Sequence, residues 1–148
     1  MLDPGSLIVE KWILYAFISM FFAGFTSVIA KLGLAGISSE MGLSVRTCFV
    51  FLFVIVFAFA VVPKQEIQTL TYNNIAWLAL SGLTTAISWG FYYKALKLGD
   101  VSTIALIDKG SFIVAVLLAW LILKEQITVR VIIGSLFILT GLFIVSRK

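Results

Sequence analysis

The 148-residue sequence has no histidine, one cysteine (Cys48) and only 12% charged residues. Without imidazole there is no Ser-His-Asp or Cys-His triad and no histidine metal site. A single thiol supports neither a disulfide framework nor a cysteine cluster. Hydrolases and zinc enzymes of the ordinary kinds are therefore set aside, and no catalytic residue, metal or cofactor is expected. Charge is scarce as well, since a typical soluble domain carries about 25%. Hydrophobic residues make up 61% of the chain, and the mean hydropathy is +1.14. A soluble domain of this size buries only ~70% of the surface its unfolded chain exposes, so much of that apolar surface would be left in water. Lipid is the solvent that suits it.

At roughly 20 residues per span, the chain has room for five membrane helices with short connections. The N-terminal stretch carries Asp3, Pro4 and Glu10 where a secretory signal has a basic start. The first apolar run, about residues 12–30, therefore reads as a retained helix. The second runs over about 39–62, after Ser38-Ser39-Glu40 supplies a serine cap and a first-turn carboxylate, and Pro63 stops it. A polar loop, 63–74, leads to a third helix at about 75–93. The fourth, at about 101–123, is interrupted by Asp108 and Lys109. The fifth, at about 128–145, opens on Thr128 as a cap and leaves a basic tail, Ser146-Arg147-Lys148. These connections suit a single all-α transmembrane domain covering residues 1–148.

The net charge of +4 and pI near 9.4 come from lysines and arginines scattered singly between apolar runs, which suits helix flanks and not a nucleic-acid surface. With five spans the termini lie on opposite faces. Lys11, Lys64, Lys124 and Arg130 fall on the N-terminal face; Lys31, Arg46, Lys94, Lys97, Lys109, Arg147 and Lys148 fall on the other. The excess favours a cytoplasmic C-terminus by the positive-inside rule. If Lys31, Arg46 and Lys109 lie within the membrane boundary the tally is balanced, which permits insertion in both orientations.

Small residues recur four apart as Ser19/Ala23/Ser27, Gly82/Ala86/Gly90 and Ser111/Ala115/Ala119. Such stripes let helices approach closely in lipid. Trp12, Trp77 and Trp120 sit near helix ends as interfacial anchors. Trp89 and Tyr93, also four apart, share a face and read either as part of that belt or as the lining of a polar cavity.

Charges inside the spans carry the most information, because an ionised side chain at mid-bilayer costs ~2.5–3.5 kcal/mol even on the lenient scale. Arg46 and Asp108 each lie seven residues into helices that start from the same face, on the order of 10 Å deep. They could pair if the second and fourth spans are neighbours. Lys109, about 100° further round, would then need a carbonyl or another carboxylate such as Glu40. The cluster reads as a packing ion pair, as headgroup snorkelling, or as a functional site. In the last case the surplus of Lys31, Arg46, Lys94 and Lys109 over Asp108 would favour an anionic or zwitterionic solute.

The segment Ala95-Leu96-Lys97-Leu98-Gly99-Asp100-Val101-Ser102, then Ile107-Asp108-Lys109-Gly110-Ser111, Leu123-Lys124-Glu125-Gln126-Ile127-Thr128, Ile133-Gly134 and Thr140-Gly141 resembles the C-terminal half of an EamA-type repeat. That repeat defines the drug/metabolite transporter superfamily, and the likeness is strongest over residues 89–145. It implies a bundle of five transmembrane helices forming a single repeat, similar to the short five-helix bacterial and archaeal members. It also implies a secondary transporter in the cytoplasmic membrane, exporting a small metabolite or amphipathic solute. Ten-helix members place the path between two inverted repeats, so one repeat implies a homodimer, plausibly antiparallel. Trp89, Tyr93, Asp108, Lys109, Arg46 and Lys31 are the expected solute contacts, with membrane lipid as the surrounding partner. The alternative is a non-transporting membrane subunit that docks through its small-residue faces.

Overall fold

The computed structural model describes the backbone of residues 4–146 and the side chains of 11–146. Asp3 and the tail residues Arg147 and Lys148 lie outside the described residues, as do the side chains of Pro4 and Glu10. Among the described residues every regular element is helical: α1 (Pro4–Gly33), α2 (Ser39–Val61), α3 (Lys64–Ile67), α4 (Tyr72–Leu98), α5 (Val101–Asp108), α6 (Ser111–Leu118), a π-helical turn (Ala119–Leu123) and α7 (Val129–Ser146). Five stretches are long and apolar enough to cross a membrane: Lys11–Gly33, Ser39–Val61, Tyr72–Leu98, Val101–Leu123 and Val129–Ser146. The expected all-α membrane architecture is therefore present.

Local chemistry explains most helix starts. Ser38, in an extended conformation, accepts a hydrogen bond from the Met41 amide at 3.2 Å, and Glu40 lies in the first turn of α2. Thr128 accepts from the Val131 amide at 3.4 Å and opens α7. Thr71 accepts from the Asn74 amide at 3.3 Å, so α4 begins at Tyr72 and not at residue 75. Each cap satisfies an amide that the helix itself leaves without a partner.

Other boundaries correct the sequence reading. α1 starts at Pro4, where a proline fits the first helical turn because its missing N–H has no role there. The connection after Pro63 holds a one-turn helix, α3. α4 continues five residues past Tyr93, because Lys94 and Lys97 find partners and need not end the helix. The fourth span tightens at Lys109-Gly110, where the amides of Lys109, Gly110, Phe112 and Ile113 each bond to the carbonyl three residues back. This is 3₁₀ geometry inside a span. Further on, the span widens into the π turn and stops at Lys124, a non-glycine residue in the left-handed region (φ 55°). The Glu125 amide closes that end on the Ala119 carbonyl at 3.2 Å.

The chain groups into two compact units, Gly33–Leu98 and Met1–Leu32 with Gly99–Lys148. In the first, α2 packs against α4. Glu40 meets Lys94 and Arg46 meets Trp89, so an advance along α2 is a retreat along α4 and the pair is antiparallel. Leu34, Tyr93 and Leu96 are buried at one end of it, Leu96 completely. Leu34 leans on Gly42, where an added methyl would collide with Leu34 Cδ2. In the second unit α5 packs on α7, and Gly110 lies so near Leu142 that a Cβ would come within 3.1 Å of its Cδ1. Ser27, from the first small-residue stripe, is buried and bonds back to the Ala23 carbonyl at 3.2 Å.

Elsewhere the apolar side chains point outward, Phe59 being 87% exposed. In water this surface would drive aggregation. In lipid it carries no such penalty, and close packing in place of hydrophobic burial holds the helices together.

Candidate functional site

Four cations lie around the α2–α4 pair or the adjoining connections, and each meets a different fate. The Lys97 ammonium donates to the Leu34 carbonyl at 2.9 Å and the Ile37 carbonyl at 2.7 Å. It thereby ties the end of α4 to the connection that leads into α2, where Gly36 makes the turn with φ +73°. Lys31, in the other unit, donates to the Gly99 carbonyl at 3.0 Å and joins the end of α1 to the start of α5. Lys94 stands 3.7 Å from Glu40, both side chains more than half exposed. An ion pair that exposed adds little to stability.

Arg46 has a different environment. Its guanidinium carbon lies 4.1 Å from the centre of the Trp89 ring and 5.9 Å from that of Tyr93. Both distances fall within the reach of cation–π attraction, with the tryptophan the stronger partner. Tyr93 is buried at 4% exposure, whereas Trp89 and Arg46 are half-buried. Ring faces accept no conventional hydrogen bond, and the Nη1 of Arg46 is buried with no hydrogen-bond acceptor. Charge attraction is thus partly answered here while one donor is left over.

The structure brings together three of the six expected site residues: Arg46, Trp89 and Tyr93. Asp108 and Lys109 are exposed in the other unit, at the tightened turn of the fourth span. Within its own unit Arg46 meets aromatic rings, because the helix beside α2 there is α4. Glu40 is engaged by Lys94. With α4 running to Leu98, Trp89 lies nine residues from its end, about 14 Å along the axis. Arg46 lies about 10 Å into α2. Tyr93 lies five residues from the same end of α4, about 7.5 Å, beside Lys94. Trp12, Trp77 and Trp120 are all exposed.

Sequence reasoning missed the part played by Lys97. The signal was there, since Trp89, Tyr93 and Lys97 are successive fourth residues and form one stripe on α4. Beside this stripe, Ala86 and Gly90 join Ser39, Glu40, Leu43, Ile87, Phe91 and Lys94 around an open cleft of about 330 Å³. Two members of the Gly82/Ala86/Gly90 stripe thus face the start of α2.

A match to the EamA-like transporter family covers residues 10–147. The chain belongs to that family. It is also similar to an "Uncharacterized transporter in cobO 3'region" from Sinorhizobium sp, with 32% identity over 137 residues, 93% of this chain and 97% of that relative. No solved structure matches the chain. Family and spans together make this EamA protein a multi-pass membrane transporter.

Proposed function

We propose that this EamA protein is a secondary transporter that exports a small metabolite or amphipathic solute across the cytoplasmic membrane, with Arg46, Trp89 and Tyr93 as the solute contacts. The observation that carries this reading is the position of Arg46 over two aromatic rings inside candidate spans, with Nη1 buried and unanswered. A cation that served packing alone would be expected to use all its buried donors, since each one left over costs stability. An apolar wall with a few placed polar groups is the usual composition of a small-molecule site. Asp108 and Lys109, at a local change of helix geometry in the other unit, are further proposed solute contacts. Lys31 acts indirectly by fixing the connection at Gly99.

The working form is a homodimer of single-domain, five-helix repeats in an antiparallel arrangement. A second copy supplies the other wall of the path, and a near-balanced distribution of lysine and arginine tolerates both orientations. The test is flux in sealed proteoliposomes containing only this protein, screened against a panel of metabolites by counterflow. Arg46→Gln and Trp89→Ala are expected to lower flux at least tenfold per folded molecule. Trp12→Ala and Trp77→Ala should change only the amount of folded protein. Equal effects at all four positions would refute the assignment. Reporters on the C-terminus found on one side of the membrane only would exclude the antiparallel arrangement.

A further inference from the structure

From the surroundings of Arg46 we infer that the site takes an organic anion, a solute that presents a carboxylate or similar anionic oxygen to Nη1 and an apolar body to the Trp89 and Tyr93 rings. This deepens the transport reading and rests on it for the identity of the contact residues.

The argument is one of unbalanced charge within a single unit. Gly33–Leu98 contains two carboxylates, Glu40 and Glu66. Glu66 lies on α3, at the far end of α2 from Arg46. Glu40 precedes Arg46 by six residues, which places it about 120° away around the helix, and it is engaged by Lys94. Neither answers the guanidinium. The other cation on the Trp89/Tyr93 stripe, Lys97, has its charge directed at two carbonyls. Arg46 is thus a fixed cation whose neighbours supply π density, and its buried Nη1 still lacks a hydrogen-bond acceptor.

Two properties of arginine decide which ligand class fits. A guanidinium is a donor only, so the missing group must be an acceptor. Its planar fork matches a carboxylate or phosphate, and charge-assisted bonds of this kind are the strong ones. An organic cation would bring like charge to Arg46, and a neutral acceptor would leave the charge unanswered. Tyr93 and Trp89 suit an apolar or aromatic body beside the anionic head.

The probe is phenylacetate, with phenylacetamide as its neutral counterpart of similar shape. The protein is the full chain carrying Trp12→Phe, Trp77→Phe and Trp120→Phe, in phosphatidylcholine nanodiscs, so that Trp89 alone reports by its emission. Phenylacetate is expected to shift that emission saturably, and phenylacetamide at equal concentration to leave it unchanged. Arg46→Gln should weaken the response at least tenfold, and Arg46→Lys, which keeps charge but loses the fork, by less. The comparison of acid with amide needs no substitution at Arg46, so it holds even if a variant fails to fold.

Equal responses to acid and amide, or a phenylacetate response indifferent to Arg46→Gln, would overturn the inference. So would an emission change seen only when phosphatidylglycerol replaces phosphatidylcholine, since the occupant would then be a lipid headgroup. The two readings fail separately. Arg46-dependent flux of a neutral or cationic solute without phenylacetate binding refutes the anion and leaves transport standing. Arg46-dependent binding without flux of any solute does the reverse.

Discussion

Replacing Arg46 by methionine should separate function from stability, because two opposing terms at this residue nearly cancel. The substitution removes a cation–π contact at 4.1 Å from Trp89 and a weaker one at 5.9 Å from Tyr93. Partly desolvated contacts of this kind are worth roughly 1–2 kcal/mol together. It also removes a buried Nη1 with no acceptor, whose desolvation costs about 1–3 kcal/mol. Methionine is unbranched and fills the space without a polar atom. The net change is therefore expected to lie between a loss of about 1 and a gain of about 2 kcal/mol, while flux is abolished. Unfolding titrated by increasing SDS in mixed micelles gives the first quantity and proteoliposome flux the second. Asp108→Asn belongs to the same test and should shift the unfolding midpoint little, because Asp108 is exposed. Breaking a buried, strongly paired guanidinium would cost ~3–5 kcal/mol. A loss of that size for Arg46→Met would mean that the guanidinium has a strong partner, and the orphan-donor reasoning would fall.

Lys97→Met should destabilise by roughly 1–2 kcal/mol, since it frees the Leu34 and Ile37 carbonyls; the same titration checks it, and faster proteolysis of the 34–38 connection should accompany it. Lys124→Gly should stabilise by about 0.5–1 kcal/mol, because the left-handed conformation at φ 55° suits glycine; an unchanged or lower midpoint would show that the lysine side chain contributes more than its backbone strain costs.

The five spans were legible because hydropathy reports directly on contact with lipid, and the caps at Ser38 and Thr128 because a side-chain oxygen before an apolar run has few other uses. Helix ends were not. The apolar stretch of the third span ends at Tyr93, but α4 ends at Leu98, since a helix continues through polar residues wherever their side chains find partners. Its 27 residues make about 40 Å, against a hydrocarbon thickness of about 30 Å, so Lys94 and Lys97 can be helical and still near the headgroups. The π turn and the left-handed Lys124 left no mark in the pattern either. Both concern how a span terminates, which composition does not encode.

The site was half legible, for a related reason. Spacing along one helix is in the sequence, so Trp89 and Tyr93 could be placed on one face; which helix lies opposite is not, so Arg46 could not be placed over their rings. Depth selects candidates but cannot choose among helices that start from the same face. What separates the cations is the acceptor within reach: carbonyls for Lys31 and Lys97, a carboxylate for Lys94, aromatic rings for Arg46. A flexible ammonium can turn to a carbonyl at a helix end, whereas a guanidinium ten ångströms or so inside a span meets a helix wall whose carbonyls are already bonded. Burial of an arginine at that depth therefore selects aromatic neighbours for its charge and leaves an edge donor over, and the arrangement that packs the span is also the one that can receive an anion.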